Sequence, residues 1–89
     1  MQYELKCPVD AGDKKLEKVD IKEEWLAGDF IEIQDAGNTQ GQQSLRQVSL
    51  ATDQPDPVVK KMSIEDFVFI LNKSTSFFTK HMKKGKANT

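Results

Sequence analysis

Several side chains in this sequence could do chemistry, and each lacks the partner that the chemistry requires. Ser74, Thr75 and Ser76 stand together in "NKSTSFF", but a nucleophilic hydroxyl needs an adjacent general base, and none is placed to serve them. The single histidine, His81, lies in a basic stretch with no evident acid to orient it, and reads as a solvated residue. Cys7 is the only cysteine, which rules out a disulfide within the chain. On an alternating segment it reads as a small buried apolar group. One cysteine and one histidine cannot supply the four ligands of a zinc site. "DAGD" lacks the spacing of a calcium loop and suits a turn better. Glycine-rich phosphate loops are missing, and the pairs Glu23-Glu24 and Glu65-Asp66 read as solvated surface charge. The expectation is a protein that is not an enzyme, with no catalytic residue, no metal and no cofactor.

Composition narrows the remaining classes. Eighty-nine residues make one small domain, which buries only about 60–65% of its unfolded surface. Chains of this size often lean on disulfides, metals or a partner, and a partner is the option left open. The net charge is −1 but unevenly spread. From Thr79 onward there are four lysines (Lys80, Lys83, Lys84, Lys86) and no acid. The preceding residues carry nine basic against fourteen acidic side chains, a balance of −5. An acidic body makes nucleic-acid binding unexpected, because there the folded face itself is basic. There is no signal-peptide pattern and no apolar run near ~18 residues. A soluble cytoplasmic protein with no membrane contact is expected.

The pattern of the chain supplies the elements. "QYELKCPV" alternates, with Tyr3, Leu5 and Cys7 on one side, and Pro8 suits the strand's end. "DAGD" offers a turn and "KLEKVDIK" a second strand in which Glu17, Val19 and Ile21 share a face. A lone hairpin is marginal in water, so it must pack on something. In "EEWLAGDFIEIQDAGN", Leu26, Phe30 and Ile33 fit a helix with Ile31 beside them, Asp29 near its start and Gly37 just past its end. Trp25 is expected where hairpin and helix meet. "NTQGQQS" reads as a loop, and "SLRQVSLAT" as a helix capped by Ser44. The prolines of "DQPDPVVKKM" forbid a regular helix and leave Val58, Val59 and Met62 to tuck a turn under the last helix. That helix starts at Ser63, which with Asp66 resembles a capping box, and runs from about Ile64 to about Thr79. The fold class is therefore α+β: an N-terminal β-hairpin packed against about three short helices. Residues 1–79 form a single domain, and residues 80–89 a basic, flexible tail.

The last helix carries more apolar residues than one face can hold. At about 100° per residue, Ile64, Phe67, Val68, Leu71, Thr75 and Phe78 fall in one stripe suited to the core. Ile70 and Phe77 lie together nearly opposite, and Phe69 also falls outside the stripe. Two arrangements meet this pattern. The prolines and hairpin could wrap the second face, making this a central helix, or Phe69, Ile70 and Phe77 form an exposed patch that binds another protein.

The order of these segments resembles a known family. "YELKCPV", "DAGDKK", "LEKVDIK", "AGDFIEIQDAG", a middle helix and a closing "MSIEDFVFI" are similar to the small tail assembly chaperones of contractile-tailed, Mu-like phages and prophages. The resemblance spans roughly Tyr3 to Phe78. It rests most on Pro8, on the Gly28-Asp29 pair and on Asp66-Phe67. The segment from Asn38 to Gln47 departs from it, being glutamine-rich where the family is richer in alanine and leucine. The resemblance implies a non-enzymatic protein that binds the long tape measure protein while tail tube components assemble around it in the cytoplasm of the bacterial host, and that is not retained in the virion. It further implies two product lengths, the longer made by ribosomal frameshifting, with this chain as the short form. Self-association into a homo-oligomer stays open. So do two other roles: a small structural phage or prophage subunit that self-associates, and a small regulator whose lysine tail contacts nucleic acid.

Overall fold

A computed structural model describes the backbone of residues 1–87 and the side chains of residues 1–80. The fold is α+β. An antiparallel hairpin of β1 (Gln2–Ala11) and β2 (Lys14–Asp20) precedes four helices: α1 (Ala27–Gln34), α2 (Gln40–Thr52), the single turn α3 (Asp56–Val59) and α4 (Ile64–Ala87). The two strands meet through the two-residue loop Gly12-Asp13. Gly12 has φ +80°, the positive value that a II′-type hairpin turn needs at its first loop residue.

The hairpin is not regular. Glu4 faces Lys18, but the next pair is Val9 with Leu16, so four residues of β1 oppose one of β2. This bulge corrects three expectations. Pro8 does not end the strand, which continues to Ala11; a proline has no ladder hydrogen to lose at a bulge. Cys7 is exposed rather than buried, because the bulge turns it away while Leu5 and Val9 stay in the core. In β2 the slip sends Leu16, not Glu17, against the core beside Val19 and Ile21.

Leu5, Val9, Val19 and Ile21 form one wall of the core. Val48 and Ala51 of α2, Val59 and Met62 around α3, and Ile70 of α4 form the rest. Burial of each such side chain contributes roughly 1.5–3 kcal/mol, which supplies the packing that the two strands alone lack. The N–H of Lys22 donates to the Ala51 carbonyl at 2.8 Å, tying the end of the hairpin to α2.

Helix α2 starts earlier than expected. Thr39, not Ser44, is its cap: the Gln42 N–H donates to Thr39 Oγ1 at 3.2 Å, and the Gln42 side-chain oxygen accepts from the Thr39 hydroxyl at 3.1 Å. This Thr-x-x-Gln box converts most of the expected loop into helix. Helix α4 continues past Thr79 to Ala87. The expected tail, 80–89, is helical in its backbone as far as Ala87; the reading of His81 as solvated concerns a side chain outside the described residues.

The inward line of α4 lies roughly a third of a turn from the centre of the expected stripe. Asp66, Ile70 and Ser74, spaced by four, are fully buried, and Phe77 packs half-buried in the same line. Ile64 and Val68, assigned to the core from spacing, are exposed. Two polar residues disguised the true stripe, and each has its partners. Ser74 donates to the Leu71 carbonyl at 3.0 Å and accepts from the Gln47 amide at 2.8 Å.

Asp66 accepts from Tyr3 Oη at 2.7 Å, from the N–H groups of Lys6 and Cys7 at 3.0 and 3.1 Å, and from the Ser63 hydroxyl at 3.0 Å. The two backbone donors belong to the bulge. Asp66 thus supplies the acceptors that the neighbouring strand does not. Burial pushes its pKa up, but the hydrogen bonds from Lys6, Tyr3, Cys7 and Ser63 outweigh burial and hold the carboxyl below its ordinary value.

Candidate protein-binding surface

Phe69, Ile70 and Phe77 do not form one patch. Ile70 has no exposed surface at all, so its place among the binding residues is withdrawn. It is turned inward with the neighbours four away on either side: Asp66 is held by β1, and Ser74 by Gln47 of α2. Phe77 is half-buried against the core, with the Lys73 ammonium 5.5 Å from its ring centre. Phe69 keeps 39% of its surface exposed and lies flat on Tyr3, ring centres 4.2 Å apart and planes 13° apart.

The surplus of apolar surface lies elsewhere, in two places. The first is α1, which buries only Ile33. Leu26, Phe30 and Ile31 face outward, Leu26 with 70% of its surface exposed. The start of α1 is fixed by Asp29, whose carboxylate accepts from the Leu26 N–H at 2.9 Å and from the Lys22 ammonium at 2.7 Å. Burial raises the pKa of Asp29, yet Lys22 and the Leu26 N–H together bring it below its ordinary value. Trp25 packs against the core, as expected, but its ring meets α4 rather than a junction of hairpin and α1. Its indole N–H donates to the Lys22 carbonyl at 3.1 Å and its ring sits edge-on to Phe78, 6.2 Å between centres. Phe30 stacks on the other side of Phe78 at 5.5 Å.

The second place is the first turns of α4. Ile64 exposes 74% of its surface, the most of any large apolar residue among the described residues, and Val68 follows it one turn on. Beside them lies a depression of about 330 Å³. Its floor is Val59 and Met62, and its walls are Leu45 of α2 and Ile64 and Phe67 of α4. Gly41 and Lys60 complete the rim. A Cβ added to Gly41 would meet nothing within 4 Å. Glycine in a helix costs about 0.5–1 kcal/mol against alanine. Among the described residues no close contact requires a glycine at that position of the lining.

No family model, curated protein or solved structure matches this chain. The surface must therefore be read from its own chemistry. Among the described residues, no three His, Cys, Asp or Glu side chains come together in a way that could hold a metal ion. Asp66, the most buried carboxylate, spends its acceptors on the bulge and on Ser63. The hydroxyls of Ser74 and Thr75 are occupied by the Leu71 carbonyl and the Gln47 amide. Among the described residues no helix is long and apolar enough to cross a membrane. What the surface offers is apolar area on two helices, which recognises other apolar side chains.

Sequence spacing located the apolar excess of α4 and left open whether the face of Ile70 and Phe77 is wrapped or exposed. It assigned Ile64 and Val68 to the core, and these are exposed while Ile70 is sealed and Phe69 stays partly outside. Two signals could have corrected it. The bulge is hinted at by a proline inside an alternating run. Asp66 sits four residues from Ile70 and eight from Ser74, a spacing that aligns the three.

Proposed function

We propose that this chain is a non-enzymatic chaperone of phage tail assembly, which binds the tape measure protein in the bacterial cytoplasm while the tail tube forms. One observation carries the reading: a body this small leaves Leu26, Phe30, Ile31, Ile64 and Val68 at its surface, on two helices. Burying one such side chain against a client is worth roughly 1.5–3 kcal/mol. Several together give useful affinity for the apolar stripe of a long helical protein, by area and without a sharp motif. The segment order from Tyr3 to Phe78 supports the phage assignment by resemblance.

Co-expression tests it. A tape measure protein encoded beside this gene should stay soluble with the chain present and precipitate without it. A tape measure protein whose solubility is indifferent to the chain counts against the proposal. Recovery of the chain at fixed stoichiometry from purified particles would instead make it a structural subunit.

A further inference from the structure

We infer that the depression between α2, α3 and the start of α4 takes an apolar side chain from a partner helix whose flanks are acidic. The inference rests on the chaperone reading for its biological setting and on the following geometry for its chemistry. The depression is lined by apolar side chains, and its one charged lining residue is Lys60. Lys61 follows it, and among the described residues neither lysine makes an ion pair.

The nearby charges are otherwise engaged. Arg46, the single charged residue of α2, reaches Asp56 at 3.2 Å. Glu65 is turned to Lys6 at 2.9 Å. The site is therefore an apolar hollow with one cation in its lining, Lys60, and a second, Lys61, next to it in the chain, neither in an ion pair among the described residues, on a body that is otherwise acidic. Depletion of charge at the centre and charge at the rim is the composition of a binding surface. The rim selects carboxylates on the partner. A second copy docking through the same face would set Lys60 and Lys61 of one protomer against those of the other, which disfavours self-pairing there. Ile64, reaching out beside the hollow, meets the partner's apolar stripe, and the missing side chain at Gly41 lets its backbone approach.

The probe is a pair of labelled helical peptides of about twenty residues, long enough to hold a helix. Both carry a leucine stripe, one flanked by glutamates and the other by lysines. In fluorescence anisotropy the glutamate-flanked peptide should bind roughly tenfold or more tighter than its lysine twin, with affinity falling as salt is added. Gly41→Leu should abolish binding while the chain melts at the same temperature or a few degrees higher, since the substitution removes a helical glycine. The double change Lys60→Glu with Lys61→Glu should reverse the preference towards the lysine peptide. Ile64→Glu, at an exposed position, serves if Gly41→Leu fails to fold. Equal binding of both peptides, binding by neither, or glutamate-peptide binding that survives Gly41→Leu would overturn the site. So would a concentration-dependent dimer that Gly41→Leu dissolves, because a second copy would then be the occupant. A tape measure protein kept soluble equally by wild type and by Gly41→Leu removes this site and leaves the chaperone reading standing. The expected peptide pattern without any effect on the tape measure protein does the reverse.

Discussion

The Tyr3 hydroxyl donates to the Asp66 carboxylate over 2.7 Å, joining the first strand to the first turn of the last helix across sixty-three positions of sequence. The same carboxylate takes the two bulge N–H groups of β1, so a single side chain fixes how the hairpin sits on α4. Removing an acceptor that partly buried donors depend on costs more than the net worth of the bonds.

Asp66→Ala should therefore lower stability by about 3 kcal/mol or more, since it strands the Lys6 and Cys7 N–H groups together with Tyr3 Oη. Tyr3→Phe, which leaves the carboxylate three donors, should cost about 1–2 kcal/mol. Urea titrations of both variants measure this. An Asp66→Ala protein within about 0.5 kcal/mol of wild type would show that other acceptors serve the bulge.

The pair also shapes the pH profile. Asp66 has a folded pKa below its unfolded value of about 3.9, so its contribution is present above that value and is lost as the pH falls through the folded pKa. Tyr3 is shifted the other way, from 10.0 to about 12, by burial and by its bond to Asp66. Its contribution is whole below pH 10.0 and disappears as the pH rises from there towards about 12. Partial exposure limits that loss to about 2 kcal/mol. Tyr3→Phe should flatten the alkaline limb of the stability curve and leave most of the acid limb in place.

The orientation of α4 separates two residues of similar kind. Ile70→Ala should destabilise by about 2–5 kcal/mol, as for a sealed core side chain, whereas Ile64→Ser should stay within about 0.5 kcal/mol. Thermal melts of the two proteins decide it; equal losses would place both on the buried side.

Cys7 provides a chemical check on the bulge. An exposed thiol should react with a thiol reagent in native buffer at nearly the rate seen in denaturant. Strong protection in the native protein would mean that β1 keeps its alternation through residue 7.

Helix α2 offers a last check. Thr39→Ala removes the acceptor of the Gln42 N–H and should cost about 1 kcal/mol. The same change at Ser44, now inside the helix, should cost little. Circular dichroism with urea melts distinguishes the two.

Much of the fold was legible in the residues themselves. The alternation of "YEL", the glycine of the turn and the spacing of Leu26, Phe30 and Ile33 declare a hairpin followed by a helix, because these are local preferences of the backbone. The Thr39-x-x-Gln42 box was equally local, and its signal was there to be read. Lone Cys7 and His81 already limited the chemistry available to one thiol and one imidazole.

The packing of the last helix belonged to the tertiary structure. Apolar spacing alone favoured a stripe through Ile64 and Val68, because it treats Asp66 and Ser74 as solvent-facing. Which side turned inward depended on where the bulge of β1 would leave two N–H groups unpaired, and on Gln47 reaching Ser74 from α2. Those partners lie more than twenty residues away in sequence, and a polar residue becomes a core residue only when a distant donor or acceptor arrives to satisfy it. Chain length and apolar spacing were enough to put apolar surface in excess. The three-dimensional meeting of Tyr3, the β1 bulge and Asp66 decided which apolar residues were left outside.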